Sequence, residues 1–145
     1  LEVGGLLMFS TLGPDSLKEL RAAFADGYAH TQRFIDMHDL GDMLVGCGFA
    51  DPVMDMEVIT LTYNDLDALF AELKAAGSRC AMNARRHGLT GRRTMQAMRE
   101  AYEKSRRDGK LPATFEVIYG HAWKTAPKLT PDGRAIVRFD LPRTK

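Results

Sequence analysis

The run Leu6-Leu7-Met8-Phe9 restricts the fold of this chain more than any other feature. It follows a Gly4-Gly5 turn and runs into a breaker cluster, Ser10-Thr11-Leu12-Gly13-Pro14-Asp15. A short unbroken apolar run between turn residues predicts a strand covered on both faces, as in a parallel sheet. Parallel strands need crossover neighbours, and nothing ahead of Leu6 supplies one. The chain opens on Leu1-Glu2-Val3 with no lead-in, so its beginning reads as the middle of a domain.

The remaining punctuation predicts four helices and two more strands. Ser16 and Glu19 have capping-box spacing, and Leu17, Leu20 and Phe24 form the apolar stripe of a helix over about 15–25. An irregular loop follows from Tyr28 to Phe34 and carries His30 and Arg33. Asp36 caps a second helix with a buried stripe of Met37, Leu40, Met43 or Leu44, and Cys47, closed by Gly46 and Gly48. Val53 to Tyr63 reads as a strand whose alternation slips near Val58-Ile59, the mark of a bulge or of cover on both faces. Asn64 and Asp67 cap a third helix with stripe Leu66, Leu69, Phe70 and Leu73, closed by Gly77. Thr90 caps a fourth, with Met95, Met98 and Tyr102 on one face. Thr114 to Trp123 alternates as a strand with Phe115, Val117, Tyr119 and Trp123 on one side. A turn at Thr130-Pro131-Asp132-Gly133 and a short apolar segment, Ala135-Ile136-Val137, end the chain. The expected class is α/β. Three strands are few for four helices, which again points to an incomplete sheet.

Composition removes several classes of function. A length of 145 residues suits one domain, and 45% hydrophobic with 27% charged residues excludes disorder. Two cysteines, Cys47 and Cys80, exclude a disulfide scaffold and a four-cysteine zinc module. No apolar stretch approaches the roughly 20 residues of a membrane span, and a cytoplasmic protein is expected. Twenty Lys and Arg against 19 Asp and Glu leave a net charge of +1, which implies no polyanionic partner.

The motifs are modest. Gly46-Cys47-Gly48 superficially suggests a phosphate loop, but it ends a helix, whereas a phosphate cradle lies between a strand and a following helix. Cys47 on an apolar stripe reads as packing. Cys80 beside Arg79 reads as an accessible thiol whose pKa the guanidinium could lower. The four histidines share no metal-ligand spacing, and His121 reads as a core or rim residue rather than an acid or base. The strongest anonymous signal is basic: Arg79, Arg85, Arg86, His87, Arg92, Arg93, Arg99, Lys104, Arg106 and Arg107 stand against only Glu100 and Glu103. The near-neutral total therefore conceals a polarised chain, suited either to a solvated helix face or to docking an acidic partner. No aromatics interleave with the arginines, which argues against nucleic acid.

Several stretches together resemble a known family. Gly4 to Arg21 resembles the fifth strand and following turn of the class I S-adenosylmethionine-dependent methyltransferases. Phe34-Ile35-Asp36-Met37-His38-Asp39-Leu40-Gly41-Asp42, Gly48 to Asp55, Gly88-Leu89-Thr90-Gly91-Arg92 and Leu111 to Lys124 are similar to the malonyl-carrier-protein methyltransferase family of biotin synthesis. The family's glycine-rich cofactor loop, ribose-binding acid and adenine-contacting segments have no counterpart here. The resemblance thus implies the carboxy-terminal half of a Rossmann-like domain over residues 1–125, followed by a tail over 126–145. It implies a three-stranded mixed sheet, the final strand inserted antiparallel between the other two, with an exposed edge open to dimerisation or strand exchange.

The implied activity is methyl transfer from S-adenosylmethionine to the free carboxyl of a malonyl thioester on acyl carrier protein, with this chain inactive alone. A carboxylate is already ionised at neutral pH, so no strong base is needed; alignment and a cation to orient the acceptor are. Arg33 and Phe34, with Ser10 and Thr11 at the first strand's tip, are the candidate substrate-binding residues, because ligands of open α/β sheets sit at the strands' carboxyl ends. Arg85, Arg86, Arg92 and Arg93 are the candidates for docking the acidic carrier. No catalytic residue, cofactor-binding residue or metal ligand is assigned to the chain, and neither nucleic acid nor membrane is expected as a partner. Two rival readings stand: a methyltransferase-fold assembly factor of the arginine-hydroxylase kind, similar at Asp39-Leu40-Gly41 and Leu111-Pro112-Ala113-Thr114, and a non-catalytic binding module.

Overall fold

A computed structural model describes residues 1–78, 80–85 and 87–127. The expected turn at Thr130 to Gly133, the segment Ala135 to Val137, Arg79 and Arg86 lie outside them, as does nearly all of the 126–145 tail.

Seven elements appear in the order strand β1 (Leu6–Leu12), helices α1 (Lys18–Ala23) and α2 (Met37–Gly46), strand β2 (Phe49–Tyr63), helices α3 (Leu66–Ala75) and α4 (Arg92–Glu103), and strand β3 (Leu111–Lys124). β3 lies between β1 and β2 and pairs antiparallel with both. The sheet is mixed only in that β1 and β2 run the same way; each hydrogen-bonded pair is antiparallel. β1 and β2 both form edges among the described residues.

The β1 run is less enclosed than its apolar content predicts, because its residues alternate between exposed and half-buried. After Leu12 the chain stays beside β3 instead of entering a capped helix. The Gly13 amide donates to the Glu116 carbonyl at 2.8 Å and the Leu17 amide to the Thr114 carbonyl at 2.6 Å. Leu17 precedes α1 in a left-handed conformation, φ +56°, and no side chain caps the helix. The expected capping box is therefore corrected. The Ser16 hydroxyl donates to the Glu116 carbonyl and accepts from the Glu116 amide, both at 3.1 Å. The Glu19 carboxylate accepts from the Thr114 amide at 3.0 Å and from the Thr114 hydroxyl. Both side chains satisfy a buried strand rather than their own helix, which shortens α1 to six residues.

Other boundaries shift for equally local reasons. Asp36 caps α2 as expected, its carboxylate accepting from the His38 amide at 2.8 Å. Gly48 closes the helix at φ +77°. The α2 stripe is not buried, however: Met37, Leu40 and Leu44 are half-covered, while Met43 and Cys47 are exposed. Asp65, not Asn64, caps α3 by accepting from the Ala68 amide at 2.8 Å. Gly91, not Thr90, is the cap residue of α4, with no side-chain bond. The slip in β2 lies between Ala50 and Val53, where Asp51 takes φ +49° and Pro52 lacks an amide hydrogen. At Val58 and Ile59, where the pattern suggested a bulge or cover on both faces, the ladder is regular and both residues are exposed, on opposite faces of an edge strand.

The core gathers at one end of the sheet. Leu17 and Leu20 near α1, Tyr63, Leu66 and Leu69 around α3, Met98 and Tyr102 of α4, and Leu111 and Ala113 of β3 form one buried cluster. The Tyr102 hydroxyl donates to the Pro112 carbonyl at 2.8 Å, so the ring's one polar group is satisfied. Burial drives the Tyr102 phenol far above its usual range. Burial, helped by Glu72, pushes Tyr63 up to about 12.

Candidate functional site

A cavity of about 800 Å³ lies past the carboxyl end of β1. Its walls come from Pro14, from Arg21 and Phe24 of the α1 region, and from the loop after α1. Asp36 and Asp39 close it at the start of α2, and Met82 closes it from the segment before α4. Strand ends of α/β sheets are where ligands collect. Arg33 and Phe34 line this cavity. Ser10 and Thr11 do not: they stay in the ladder, opposite Tyr119 and Ile118 of β3.

The loop over residues 28–34 is irregular in sequence but held on three sides. The Ala29 amide donates to the Ala84 carbonyl at 3.1 Å, and the Ala81 amide donates to the Gln32 side-chain carbonyl at 3.1 Å. The Cys80 thiol, half-buried, points at the Ala29 and Thr31 carbonyls at 3.5 and 3.6 Å. The accessible bystander thiol expected at Cys80 is thus corrected to a strut beneath the loop. From the helix side, Arg21 donates to the Pro14 carbonyl at 2.7 Å and reaches the Ser16 carbonyl and the Thr31 hydroxyl, both at 3.4 Å. Arg33 is exposed on this scaffold and makes no ion pair among the described residues.

A pair that spacing did not reveal lies in the same wall. α1 ends at Ala23 instead of continuing through Phe24, so the Phe24 ring turns and stacks on His30, centroids 3.4 Å apart and planes 5° apart. His30 Nε2 sits 2.7 Å from Asp26 Oδ1, and the two side chains are only 13% and 16% exposed. Asp26 Oδ2 is buried with no partner among the described residues. Burial pushes the Asp26 carboxyl up, but the His30 ring and the Tyr28 amide outweigh it and hold the carboxyl below the usual carboxylate range. The i,i+4 spacing of Asp26 and His30 was the only signal, and outside a helix it carries no geometric meaning.

The basic stretch divides by what its members touch. Arg99 grips Asp67 through two nitrogens at 2.6 and 3.2 Å, tying α4 to α3 and holding the Asp67 carboxyl low. Arg106 pairs with Glu103 at 2.7 Å and donates to the Asn64 and Gly109 carbonyls. These two are structural. Arg85 is half-buried and donates to the Met82 carbonyl at 3.2 Å. Arg92 and Arg93 are exposed in the first turn of α4 and form no ion pair among the described residues. Cations are disfavoured there by the helix dipole, so packing does not explain them. Arg86 lies outside the described residues. No group of three His, Cys, Asp or Glu among those residues could hold a metal, and no described helix is long and apolar enough to cross a membrane.

No family model matches the chain. Individual relatives match closely. The chain is 58% identical over 140 residues to the malonyl-[acyl-carrier protein] O-methyltransferase of Gallionella capsiferriformans, a match covering 95% of this chain and 48% of that protein. It is 60% identical over 139 residues to the protein of the same name from Nitrosospira multiformis, covering 92% and 45%. It is 45% identical over 136 residues to that of Legionella pneumophila, covering 92% and 48%. The chain spans about half the length of the curated relatives it matches, the carboxy-terminal half. A three-stranded sheet is consistent with that share: this chain is homologous, over nearly all of its length, to half of a malonyl-[acyl-carrier protein] O-methyltransferase.

Proposed function

We propose that this chain forms the acceptor side of an enzyme that transfers a methyl group from S-adenosylmethionine to the free carboxyl of malonyl-acyl carrier protein in biotin synthesis. The observation that carries the reading is the close identity to proteins of that name, joined to a cavity beyond β1 whose Arg33 makes no ion pair among the described residues. The relatives' printed names favour this over the assembly-factor and binding-module readings.

This reading assigns no cradle for the methyl donor to the chain. The Gly46–Gly48 turn lies between a helix and a strand, the reverse of the order a cofactor loop requires. Holding the donor falls to the other half of the domain, and this chain alone is inactive. Its own residues bind and orient the acceptor. Arg33 pairs with the malonyl carboxylate, Phe34 supplies an apolar wall, and Arg21 keeps the loop that carries them in place. Ser10 and Thr11 contribute to this site only if the bound thioester extends back over the strand tip. Methylation removes the carboxylate's charge, so the chain end can then enter apolar channels where an ionised group is costly to desolvate.

The acidic carrier docks on the exposed start of α4 through Arg92 and Arg93, joined by Arg85 and Arg86, which precede the helix in sequence. The helix tolerates two cations at an unfavourable end because they serve a partner. In the full-length enzyme, R92E/R93E raises KM for malonyl-acyl carrier protein about tenfold or more, leaves kcat largely unchanged and weakens the salt dependence. KM for a malonyl thioester lacking the carrier stays the same. An equal rise for both substrates would sink the docking role, and a wild-type enzyme that methylates neither would sink the activity. Residues 1–125 act as one unit in this reading, and the edge of β1, unpaired among the described residues, is where the sheet continues, or, in the chain alone, where a second copy pairs.

A further inference from the structure

We infer that His30, its ring fixed by Asp26 and Phe24 in the cavity wall, is the residue that distinguishes the substrate's free carboxylate from the methyl ester it becomes. The inference rests on the acceptor site proposed above and adds a second recognition group to Arg33.

The ring is held more firmly than a loop histidine needs to be. One face lies flat on Phe24, and Nε2 is tied to the Asp26 carboxylate. Nδ1 has no partner among the described residues, and His30 belongs to the wall of the hollow. That nitrogen can therefore meet a ligand. A neutral ring donating through Nε2 would offer only a lone pair at Nδ1, which repels a carboxylate. A protonated ring donates at both nitrogens at once, to Asp26 and to the acceptor.

Charge favours the protonated form when the substrate is bound. The Asp26 carboxyl is held below the usual carboxylate range and its Oδ2 is buried with no partner among the described residues, so a neutral His30 leaves the pair one net negative charge against an incoming anion. Protonation cancels that charge. The other described charged or titratable groups around the loop are Arg21 and Arg33, Asp36 and Asp39 of α2, and Tyr28, with Cys80 and Arg85 beneath it. Arg33 gives the site a pH-independent cation, and His30 gives it a pH-dependent one.

Methyl transfer then reverses the preference. The carboxylate oxygen forms a bond to the methyl carbon as the methyl–sulfur bond breaks. The carboxylate's negative charge and the sulfonium's positive charge disappear together, and no proton moves in the step. The neutral ester gives the imidazolium no ion-pair partner, so His30 can return its proton to solvent as the product leaves. Asp26 is a positioning residue in this scheme; it never touches substrate.

The test is steady-state kinetics of the full-length enzyme on malonyl-acyl carrier protein from about pH 6 to about pH 9, across the range in which histidine ordinarily titrates. Wild-type KM rises with pH as His30 loses its proton, while kcat changes little. H30Q raises KM about tenfold at the acidic end, consistent with loss of a charge-assisted hydrogen bond, and flattens the profile. D26N raises KM at the acidic end, less than H30Q does, and leaves kcat largely unchanged, because the ring loses the carboxylate that fixes its orientation. H30K, which keeps a cation, recovers part of the lost affinity without the histidine-range pH dependence, and it carries the test if H30Q does not fold. Inhibition by the methyl ester product is the same in wild type and H30Q. If H30Q or H30K retains the wild-type KM and pH profile while the enzyme methylates its substrate, His30 has no such role. If the wild-type enzyme does not methylate malonyl-acyl carrier protein, the functional reading falls and this inference falls with it.

Discussion

Along one face of the sheet, Tyr63, Leu111 and Ala113 stand at one end and Leu6, Met8, Val53 and Trp123 at the other. Both groups are apolar, and where one strand supplies two of these residues they lie two apart and so point to one face. At the first end α1, α3 and α4 close over the strands, and Leu69, Leu111 and Ala113 have no exposed surface at all. At the second, Met8 is 72% exposed, Val53 53% and Trp123 47%. The difference teaches that alternation records which face is meant to be covered, while cover itself depends on which helices are present to provide it. The opposite face supports this. There Phe9, Gly120 and Met54 lie side by side across the three strands, and α2 packs over β2.

The largest effect should come from the closed end. L69A removes a side chain with no exposed surface from a cluster that cannot collapse without moving two helices. It should destabilise the protein by about 2–5 kcal/mol, measured by urea unfolding. A loss below about 1 kcal/mol would mean that the cluster is loosely packed and that the two ends do not differ as described. A smaller effect is expected in the middle of β3. A Cβ at Gly120 would lie 2.4 Å from the Phe9 ring and 2.8 Å from the Met54 sulfur. G120A should cost about 1–3 kcal/mol by overpacking, and the double variant G120A/F9L should recover much of it. If F9L does not relieve G120A, the crowding arises from the Met54 side chain and not from the ring.

Much of this arrangement was legible in the residues, because it depends on local spacing. The α3 stripe of Leu66, Leu69, Phe70 and Leu73 and the α4 stripe of Met95, Met98 and Tyr102 report 3.6-residue periodicity, and the core is built on them. What failed was pairing at a distance. Ser16 and Glu19 have the spacing of a capping box, yet they bond to residues about a hundred positions away on β3. A local motif cannot declare that a strand will compete for its side chains. Cys47 was misjudged as buried because a stripe shows only which side of a helix is apolar, not whether anything covers it. In the site, Arg33 and Phe34 were accessible to reasoning from strand ends. The Asp26–His30 pair was not, since it exists only because α1 stops one residue before Phe24 and lets that ring turn onto the histidine.

The smallest expected effect belongs to the open end and gives the sharpest test of the comparison. Met8 sits on β1 beside His121, with Val53 on the far side of the same β3 residue. With 72% of its surface exposed, it loses little on folding when replaced by a polar residue. In the 145-residue chain, M8S should change stability by no more than about 0.5 kcal/mol, far below L69A. A loss above about 1 kcal/mol would show that the side chain is covered, and the protein-concentration dependence of unfolding then identifies the cover. Dependence on concentration means that a second copy lies on this face; independence means that other residues of the same chain do. In a protein of the relatives' full length the same substitution should cost more than in the 145-residue chain if further residues lie over these strands, because a buried methionine forfeits both apolar transfer and packing contacts. Equal costs in the two contexts would leave the face open in both, and alternation at this end would then reflect something other than burial.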